Sequence, residues 1–492
     1  MDRLISEEVR KEVLNRITPT QSELTNQNDV ISTLTQALTQ ESSHYQYSFI
    51  EPQGSTGKKQ TQLRNAADID LFVGLDPGDY SEILELPQQK RHAGIDHLMT
   101  KLVEEWFKPA VTGLEVTNVR KTYSQHPYLS LKMKGLDVDI LGCFDIESSK
   151  LLKNGPYTAV DRTVHHTKYV ADNLTDEKRQ NARILKSFVR ACHAYGDNCA
   201  VGRMGLTGVS LEIISIESED IDSAFHSLEH LDEDPIDSKH RSLTKLQKIP
   251  AFRDNYVFVI DPTDIRRNIA SSFTPRSYRW VKYQINEMRK IAKKKETKQV
   301  IEKIIEAPIP TDPPPAWIAD HMFVREFKSD GSTHYTVLRD KLHRMTKKLQ
   351  YQLLSERTGE PRFGESLAEV YFEGDNYSVG LIVENPTISE HYDRRGPPTE
   401  LSNASAEFRK KHPDATTRDG FQWTRMRRKW TSTDSLFEDV VSRNSIDGLT
   451  QTKQGIVSKK VLNVLFRFVL PIESEYLRKM TKVKDTGHEK TG

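Results

Sequence analysis

Two pairs of closely spaced aspartates constrain this chain more than any other feature. A single isoleucine separates Asp68 from Asp70, and a single valine separates Asp137 from Asp139. Side chains alternate across a β-strand, so both carboxylates of a pair project from one face while the apolar residue between them points into a core. The pattern predicts two strands, with a third carboxylate from the strand at residues 136–141 beside Asp68 and Asp70.

A cluster of three carboxylates is destabilised by charge repulsion, and the way this repulsion is relieved indicates the chemistry of the site. Carboxylates a few ångströms apart raise one another's pKa, and divalent cations with oxygen ligands relieve that repulsion. In a site with two metal ions about 3.5–4 Å apart, one ion activates an attacking hydroxyl and the other stabilises a leaving oxygen. The alternative interpretation is a solvated strand edge, which is common for an isolated Asp-x-Asp pattern.

A Gly54-Ser55 pair upstream of the first aspartates favours the catalytic interpretation. Small residues at a turn let backbone N–H groups and a hydroxyl approach phosphate oxygens, and the adjacent Lys58 and Lys59 add positive charge. A Walker-type P-loop is excluded because Pro52 occupies the position of its first glycine and Lys59 replaces its hydroxyl residue.

Further sequence blocks follow these motifs in a recognisable order. They are Tyr123 to Tyr128 with His126-Pro127, Asp137 to Ile140, Ala159 to Tyr169, Leu185-Lys186, Tyr195-Gly196, Gly205 to Gly208 with Glu212, and Asp261 to Ala270. In order and approximate spacing they resemble the archaeal-type (class I) CCA-adding enzymes, which are tRNA nucleotidyltransferases. The resemblance is dense from Gly54 to Ala270 and sparse beyond Ala316.

The resemblance implies a function and a set of site residues. Asp68, Asp70 and Asp139 would bind the catalytic Mg²⁺ ions, and the enzyme would add or repair the 3′ CCA end of tRNA from CTP and ATP. The implied contacts to the incoming nucleotide are Gly54, Ser55, Lys58, His166, Lys186 and Tyr195, with Arg267 near the base and the RNA end. The expected partners are therefore tRNA, CTP and ATP.

Several positions depart from the family pattern. Lys58 stands where the family usually has arginine, which keeps the charge but loses the bidentate fork. Leu141-Gly142 replaces a common Val-Pro, and Leu206, Thr207 and Val209 alter a Gly-Phe-Ser-Gly-Tyr block. These changes spare the expected metal ligands and affect how the nucleotide fits.

Each implied contact also has a structural alternative. Lys186 lies on an apolar helical stripe and could be a solvated helix lysine, and Tyr195 alone is typical of a core. Arg267 could belong to a surface pair at a helix start. Asp137 shares a face with Asp139 and could compete for its role.

Two other functions remain open from the sequence. Another nucleotidyltransferase of the superfamily, making signalling oligonucleotides or poly(A)-type tails, would share the carboxylates but needs no domain that measures tRNA. A pseudoenzyme that only binds RNA has no reason to keep a costly carboxylate cluster.

Length and composition indicate the number of domains and the cellular environment of the protein. A chain of 492 residues suggests about three domains. Mean hydropathy is −0.63 and the hydrophobic fraction is 36%, and since no apolar run approaches the ~20 residues of a membrane helix, we expect a soluble protein without membrane association. The acidic start at residues 1–8 is unlike a secretory signal. Three cysteines in so long a chain favour a reducing, cytoplasmic location.

The pattern along the chain predicts an α+β multidomain architecture. We expect a nucleotidyltransferase α/β palm with N-terminal helices at residues 1–150, a helical central domain at 151–306, and a C-terminal α+β RNA-binding domain with a tail at 307–492. Early helices are predicted at 6–15 and 21–40, and strands at 45–50 and 334–338. The proline-rich stretch at 307–315 marks a boundary.

Charge is unevenly distributed although the net charge is only +1. Residues 217–238 carry acids and no lysine or arginine, which predicts a mobile surface loop. Residues 275–303 are basic, with Tyr278, Trp280 and Tyr283 interleaved, a pattern typical of nucleic-acid contact. Arg425, Arg427 and Arg428 form a second candidate RNA contact. The sequence leaves open whether the chain forms a homodimer.

Overall fold

The computed structural model describes residues 3–42, 45–474 and Leu477. The first two residues of the acidic N-terminal segment and most of the tail lie outside the described residues. The chain has a mixed α+β fold that divides into two compact units, one formed by residues 1–198 and 204–307 and the other by residues 199–203 and 308–492.

The first unit contains thirteen of the helices and seven of the strands in the described part of the chain. The helices are α1 (Glu7–Ile17), α2 (Gln21–Gln40), α3 (Ser81–Leu84), α4 (Gln88–Lys101), α5 (Lys108–Val111), α6 (Ser148–Asn154), α7 (Asp161–Asn173), α8 (Asp176–Ala191), α9 (Gly208–Glu217), α10 (Ile221–Glu229), α11 (Leu243–Gln247), α12 (Pro275–Lys293) and α13 (Thr297–Ile304). The strands are β1 (Phe49–Gln53), β2 (Asp68–Leu75), β3 (Val116–Tyr123), β4 (Pro127–Met133), β5 (Leu136–Phe144), β6 (Ile260–Asp261) and β7 (Asp264–Asn268).

A five-stranded sheet in the order β1-β2-β5-β4-β3 organises the first part of this unit. Strands β2 and β5 run parallel to each other, and the other neighbours are antiparallel. Alternate residues of β2 and β5, such as Ile69 and Val138, are buried with Leu34 of α2 and Met99 of α4 in one core. The aspartates of both strands therefore project from the face opposite to this core.

Gly142, one of the residues at which the sequence departs from the pattern it resembles, lies in a closely packed part of strand β5. A Cβ atom at this position of β5 would lie 2.6 Å from Met99 Sδ and 2.9 Å from Leu102 Cδ1. The glycine therefore allows close packing between the strand and the α4 region.

Helices α8, α9, α10, α12 and α13 form the second part of the first unit. Helices α8 and α9 pack together, and α12 contacts α10 and α13. Tyr278, Trp280 and Val281 of α12 are buried in this packing. The spacing of these buried residues follows the helical repeat, so α12 is an amphipathic core helix.

The second unit contains the remaining α-helices and strands of the described residues. They are α14 (Ala316–Ala319), α15 (Tyr335–Leu354), α16 (Ser402–Lys411), α17 (Thr433–Arg443), α18 (Ile456–Asn463) and α19 (Leu470–Glu473), with β8 (Met322–Ser329), β9 (Ser366–Glu373), β10 (Asn376–Val383), β11 (His391–Pro398), β12 (Thr416–Arg418), β13 (Phe421–Arg427) and β14 (Leu449–Thr452). Two sheets have the orders β14-β8-β10-β9 and β11-β13-β12. Val379 and Leu381 share a core with α15, whereas Gly380 between them faces Leu465 and Val461. The larger sheet is therefore covered on both faces.

Some expected elements differ in the structure. The early strand covers Phe49–Gln53 rather than residues 45–50, and residues 335–338 begin helix α15 instead of forming a strand. The acidic segment is not simply a loop, because it contains α10. Arg267 lies on strand β7 and not at a helix start.

Candidate active site

The sheet register brings the predicted carboxylates together. Asp68 lies opposite Asp137 and Asp70 lies opposite Asp139 on the parallel strands β2 and β5. Neighbouring strands are about 4.8 Å apart, so side chains at paired positions on one face are adjacent. The structure thus places Asp68, Asp70 and Asp139 side by side, as the alternation pattern predicts.

The pKa values of these carboxylates show the cost of the arrangement. Burial, followed by the nearby charges of Asp139 and Asp68, raises the pKa of Asp70 to about 7. Burial and Asp137 also raise the pKa of Asp68, and burial raises that of Asp139 despite a hydrogen bond from Ser130. Such a cluster has excess negative charge that a divalent cation would neutralise.

Gly54 keeps the space beside Asp70 open. Its φ of +64° lies in the left-handed region, and a Cβ atom there would lie only 2.7 Å from Asp70 Oδ2. The next turn is tied to strand β2 because the Thr56 hydroxyl donates to the Asp68 carbonyl at 2.9 Å. Oxygen donors with raised pKa values beside this open backbone fit a hard divalent cation better than zinc.

Helix α8 holds the 54–61 loop, a feature that the sequence analysis missed. Arg179 Nε donates to the Lys59 carbonyl at 3.1 Å, and Arg183 donates to the Gln60 carbonyl at 2.6 Å and to the Gln62 carbonyl at 3.2 Å. Positions 179, 183 and 186 share one helix face. The spacing of four and then three residues could have indicated one shared binding face of α8. It could not have identified the 54–61 loop as its partner.

The two adjacent lysines of the loop have different environments. Lys58 is exposed, and its Nζ atom lies 2.8 Å from Glu51 Oε2. Lys59 is buried, and its Nζ atom lies 3.0 Å from Glu212 Oε2 on α9. Lys59 also lowers the pKa of Asp70, so this lysine, absent from the predicted nucleotide contacts, is electrostatically coupled to the carboxylates.

Lys186 is not the solvated helix lysine of the structural alternative. It is buried, and its Nζ atom lies 2.7 Å from Glu212 Oε1 and 2.7 Å from Thr61 Oγ1. Although burial raises the pKa of Glu212, Lys186 and Lys59 lower it to about 2. We call Lys59, Glu212 and Lys186 the lysine triad.

Tyr195 approaches this triad at the start of α9. A Cβ atom at Gly208 would lie 2.6 Å from the Tyr195 hydroxyl and 3.3 Å from Lys186 Cε. Burial, and then the charge of Glu212, raise the pKa of Tyr195 to about 12. Gly208 therefore lies where two predicted nucleotide contacts, Lys186 and Tyr195, come close together.

His166 and Arg267 form a separate polar cluster around Asp261. His166 Nε2 lies 2.5 Å from Asp261 Oδ2, and Arg267 lies 3.7 Å from the same oxygen. Although burial raises the pKa of Asp261, hydrogen bonds from His166 and Thr263 hold it below its ordinary value. Asp261 therefore organises these two predicted contacts, which the sequence did not reveal.

The basic helix α12 is not an aromatic RNA-binding face. The Tyr278 hydroxyl donates to the Glu229 carbonyl at 2.6 Å, and the Trp280 indole donates to the Cys192 carbonyl at 2.8 Å. Lys282 pairs with Asp232 at 2.9 Å, and Arg289 pairs with Glu229. The prediction for Tyr278 and Trp280 is wrong because both rings are buried, and the acidic segment neutralises part of the basic one.

The three arginines of the second candidate RNA contact also differ from one another. Arg425 is exposed, and Arg427 is 76% exposed beside Glu390 at 2.8 Å. Arg428 is only 8% exposed and contacts Glu356 at 2.5 Å. Arg428 therefore faces inward to Glu356, whereas the first two arginines face outward.

Paired carboxylates on adjacent strands, beside a glycine-serine loop that approaches one of them, form the arrangement that a nucleotidyltransferase type of site requires. Residues 180–299 match the family model "tRNA nucleotidyltransferase, second domain". The chain is similar to curated archaeal CCA-adding enzymes.

Three of these curated proteins show the extent of the similarity. A CCA-adding enzyme of Methanothermobacter thermautotrophicus is 29% identical over 44% of this chain, which covers only 42% of that enzyme. Enzymes of the same name from Sulfurisphaera tokodaii and Saccharolobus solfataricus are 24% and 22% identical, over 79% and 97% of this chain and 81% and 99% of their own lengths.

Among solved structures, CdnC of E. coli MS115-1 with ATP aligns at a TM-score of 0.44 and 16% identity, over 62% of this chain and 98% of that one. That likeness is too distant to bear on function.

No helix among the described residues has the length and apolar character needed to span a membrane.

Proposed function

We propose that this chain is a template-independent RNA nucleotidyltransferase that adds or repairs the 3′ CCA end of tRNA from CTP and ATP. The observation that carries the proposal is the register that places Asp70 beside Asp139, with Asp68 on the same face and Gly54 against Asp70. The similarity to curated CCA-adding enzymes, together with the match to the tRNA nucleotidyltransferase domain model, supports tRNA as the acceptor.

The reaction is an in-line transfer. The 3′-hydroxyl oxygen of the RNA forms a bond to the α-phosphorus, the bond from that phosphorus to the bridging oxygen breaks, and pyrophosphate leaves. The hydroxyl proton passes to solvent water as the new bond forms. Divalent cations, Mg²⁺ in this proposal, supply Lewis-acid stabilisation of the attacking and leaving oxygens when bound.

The residues of the chain position the reactants. Asp68, Asp70 and Asp139 would hold the cations, and the 54–61 loop with Ser55 would approach the phosphates. Lys186 and Tyr195 would contact the triphosphate from the opposite side, near the start of α9. Fixed donors of this kind accelerate transfer because they need no reorganisation during the reaction.

His166, Arg267 and Lys58 complete the proposed nucleotide contacts. The half-buried Arg267 and the buried His166 both contact the Asp261 carboxylate, which holds the two side chains near each other. Lys58 is exposed and would contribute positive charge at the edge of the nucleotide site.

We assign the division of the chain as residues 1–150 for the catalytic palm, 151–306 for the helical domain and 307–492 for the RNA-binding domain and tail. The exposed face of the sheet β11-β13-β12 is the proposed contact to the tRNA body. On this face Arg418 Cζ lies 4.1 Å from the Trp423 ring centroid, and Arg395 Cζ lies 4.7 Å from that of Phe421. A cytoplasmic location follows from the tRNA substrate.

The test uses tRNA that lacks its 3′ CCA, incubated with Mg²⁺ and with CTP, ATP, GTP or UTP separately and together, and read as product length. We expect growth with CTP, completion only when ATP is also present, and no growth with GTP or UTP. An RNA-independent oligonucleotide product, or an unlimited homopolymer tail, would contradict CCA addition and identify another enzyme of the superfamily.

A further inference from the structure

We infer that Glu212 is a positioning residue for the triphosphate of the incoming nucleotide, an inference that rests on the proposed function. Its single carboxylate fixes the 54–61 loop and Lys186 relative to each other. The two proposed phosphate contacts, Ser55 and Lys186, are thereby held on either side of one substrate.

The contacts of Glu212 link three parts of the first unit. Its Oε2 atom lies 3.0 Å from Lys59 Nζ of the loop, and its Oε1 atom lies 2.7 Å from Lys186 Nζ of α8. The Thr61 hydroxyl donates to Oε1 at 2.5 Å and accepts from Lys186 at 2.7 Å. Loop, α8 and α9 therefore meet at one carboxylate.

Thr61 transmits this anchoring to Ser55. The Thr61 backbone N–H donates to the Ser55 carbonyl at 3.0 Å, and Lys186 Nζ lies 3.3 Å from the Thr61 carbonyl. A displacement of Thr61 would therefore move Ser55 as well as the Lys186 ammonium.

Glu212 does not itself contact the triphosphate in this proposal, because its carboxylate carries the same sign of charge and both its oxygens are bound by Lys59, Thr61 and Lys186. The triad contains two ammonium groups and one carboxylate, so it retains one positive charge in a buried environment. An unbalanced buried charge is costly unless an opposite charge approaches it. A nucleoside triphosphate is the anion that this site would receive.

Glu212→Gln keeps the shape of the side chain and removes its charge. The two buried ammonium groups would then repel each other, and Lys186 would lose its fixed position. We expect the KM for CTP and for ATP to rise by the same factor, about tenfold or more, with a smaller fall in kcat. Inhibition by CMP and AMP, which lack the outer phosphates, should change by less than about threefold.

Glu229→Gln is the matched control. Glu229 is also a buried helix glutamate of the first unit, and it pairs with Arg289 of α12. A general loss of packing would affect both variants alike. We expect the control to leave the KM values for CTP and ATP within about twofold of the original protein.

A double-variant cycle separates positioning from a merely structural role. If Glu212 acts through Lys186, then Glu212→Gln combined with Lys186→Met should raise the KM no further than Lys186→Met alone. Fully additive effects on KM, or equal effects in Glu229→Gln, would overturn the inference.

Thr61→Val is the second variant if Glu212→Gln does not fold. It removes one hydroxyl between Lys186 and Glu212 and keeps the volume of the side chain. We expect a rise of about threefold in both KM values, and unchanged values would overturn the inference.

Titration calorimetry of ATP with Ca²⁺, without RNA, gives a readout that does not depend on transfer. Weaker ATP binding in the Glu212 variant supports the inference even if the original protein fails to extend tRNA, which would contradict only the proposed function. Unchanged ATP binding in a protein that does extend tRNA would overturn the inference alone.

Discussion

Two buried clusters of the same charge pattern occur in this chain, one in each unit. The lysine triad of the first unit joins Lys59 and Lys186 to Glu212. In the second unit Arg362 and Arg428 both contact Glu356 at 2.5 Å, and we call these three residues the arginine triad. Each combines two cations with one carboxylate, and in each the carboxylate is almost fully buried.

The surroundings of the two triads differ. Arg362 donates to the Gln352 carbonyl at 2.8 Å and its Cζ lies 5.1 Å from the Trp430 ring centroid. Arg428 donates to the Pro361 carbonyl at 3.0 Å and its Cζ lies 4.8 Å from the ring centroid of Tyr392. Planar guanidinium groups suit this combination of stacking and forked donation. The arginine triad therefore has a structural role, because its cations bind carbonyl oxygens and stack on aromatic rings of the same unit.

The lysine triad lies instead beside the carboxylates of the candidate site, since Lys59 lowers the pKa of Asp70. Its partners are the loop next to the three carboxylates and the start of α9 near Tyr195. An ammonium is a compact charge that one anion can approach from several directions. The comparison shows that an identical charge pattern serves structure in one unit and, in our proposal, substrate positioning in the other.

The largest expected effect on stability tests what the triads have in common. Removing the carboxylate by Glu356→Gln or by Glu212→Gln leaves two buried cations without a counter-charge, which should lower the free energy of unfolding by roughly 3–5 kcal/mol in either case. Urea denaturation of both variants measures this. A loss below about 1 kcal/mol in one variant would show that its triad is not structurally important.

A smaller effect concerns the carboxylates beside the lysine triad. The pKa of Asp70 is raised to about 7, so between about pH 4 and pH 7 the folded, metal-free protein keeps a proton that the unfolded chain has released. Raising the pH through this window should therefore reduce stability, by roughly 1–3 kcal/mol.

Urea denaturation in EDTA at about pH 5 and about pH 8 checks the sign of this effect. Asp70→Asn should remove most of the difference between the two pH values, and Asp439→Asn in the second unit serves as a control. A protein that becomes more stable as the pH rises, with the same slope in Asp70→Asn, would contradict the raised pKa.

The smallest expected effect distinguishes two charged surfaces. Arg418→Ala with Arg425→Ala on the exposed sheet face should flatten the plot of log association constant for tRNA against log salt by roughly one unit per lost phosphate contact. Lys282→Ala with Arg289→Ala should leave the slope nearly unchanged, because acidic partners already pair with these side chains. A flatter slope for the Lys282 and Arg289 variant, with an unchanged slope for the Arg418 and Arg425 variant, would indicate that α12 contacts the RNA instead.

The sequence predicted the parts of the site that depend on local periodicity. Alternation along β2 and β5 correctly placed the three aspartates on one face. The approach of the glycine-serine pair to phosphate oxygens stays a prediction. Loop geometry could not be predicted in this way. Which of Lys58 and Lys59 is buried depends on the path of the loop, including the positive φ of 49° at Gln60.

The errors came from treating segments in isolation. The basic stretch was interpreted without its acidic partner, although Tyr278, Val281 and Ile285 already follow a helical repeat that indicates burial. A short run at residues 334–338 resembled a strand, whereas His334 accepts a hydrogen bond from the Thr336 backbone N–H at the start of α15. Tertiary pairing and capping decided these cases.

Single-turnover transfer of CMP to tRNA lacking its CCA end tests the central claim most directly. The chain and its Glu356→Gln variant, assayed where both are folded, should add cytidine at similar rates. Asp139→Asn should bind the same tRNA and transfer about a thousandfold more slowly or worse, since each lost factor of ten corresponds to about 1.4 kcal/mol of barrier. Transfer by Asp139→Asn at the original rate, or no cytidine addition by the unaltered chain, would contradict the account.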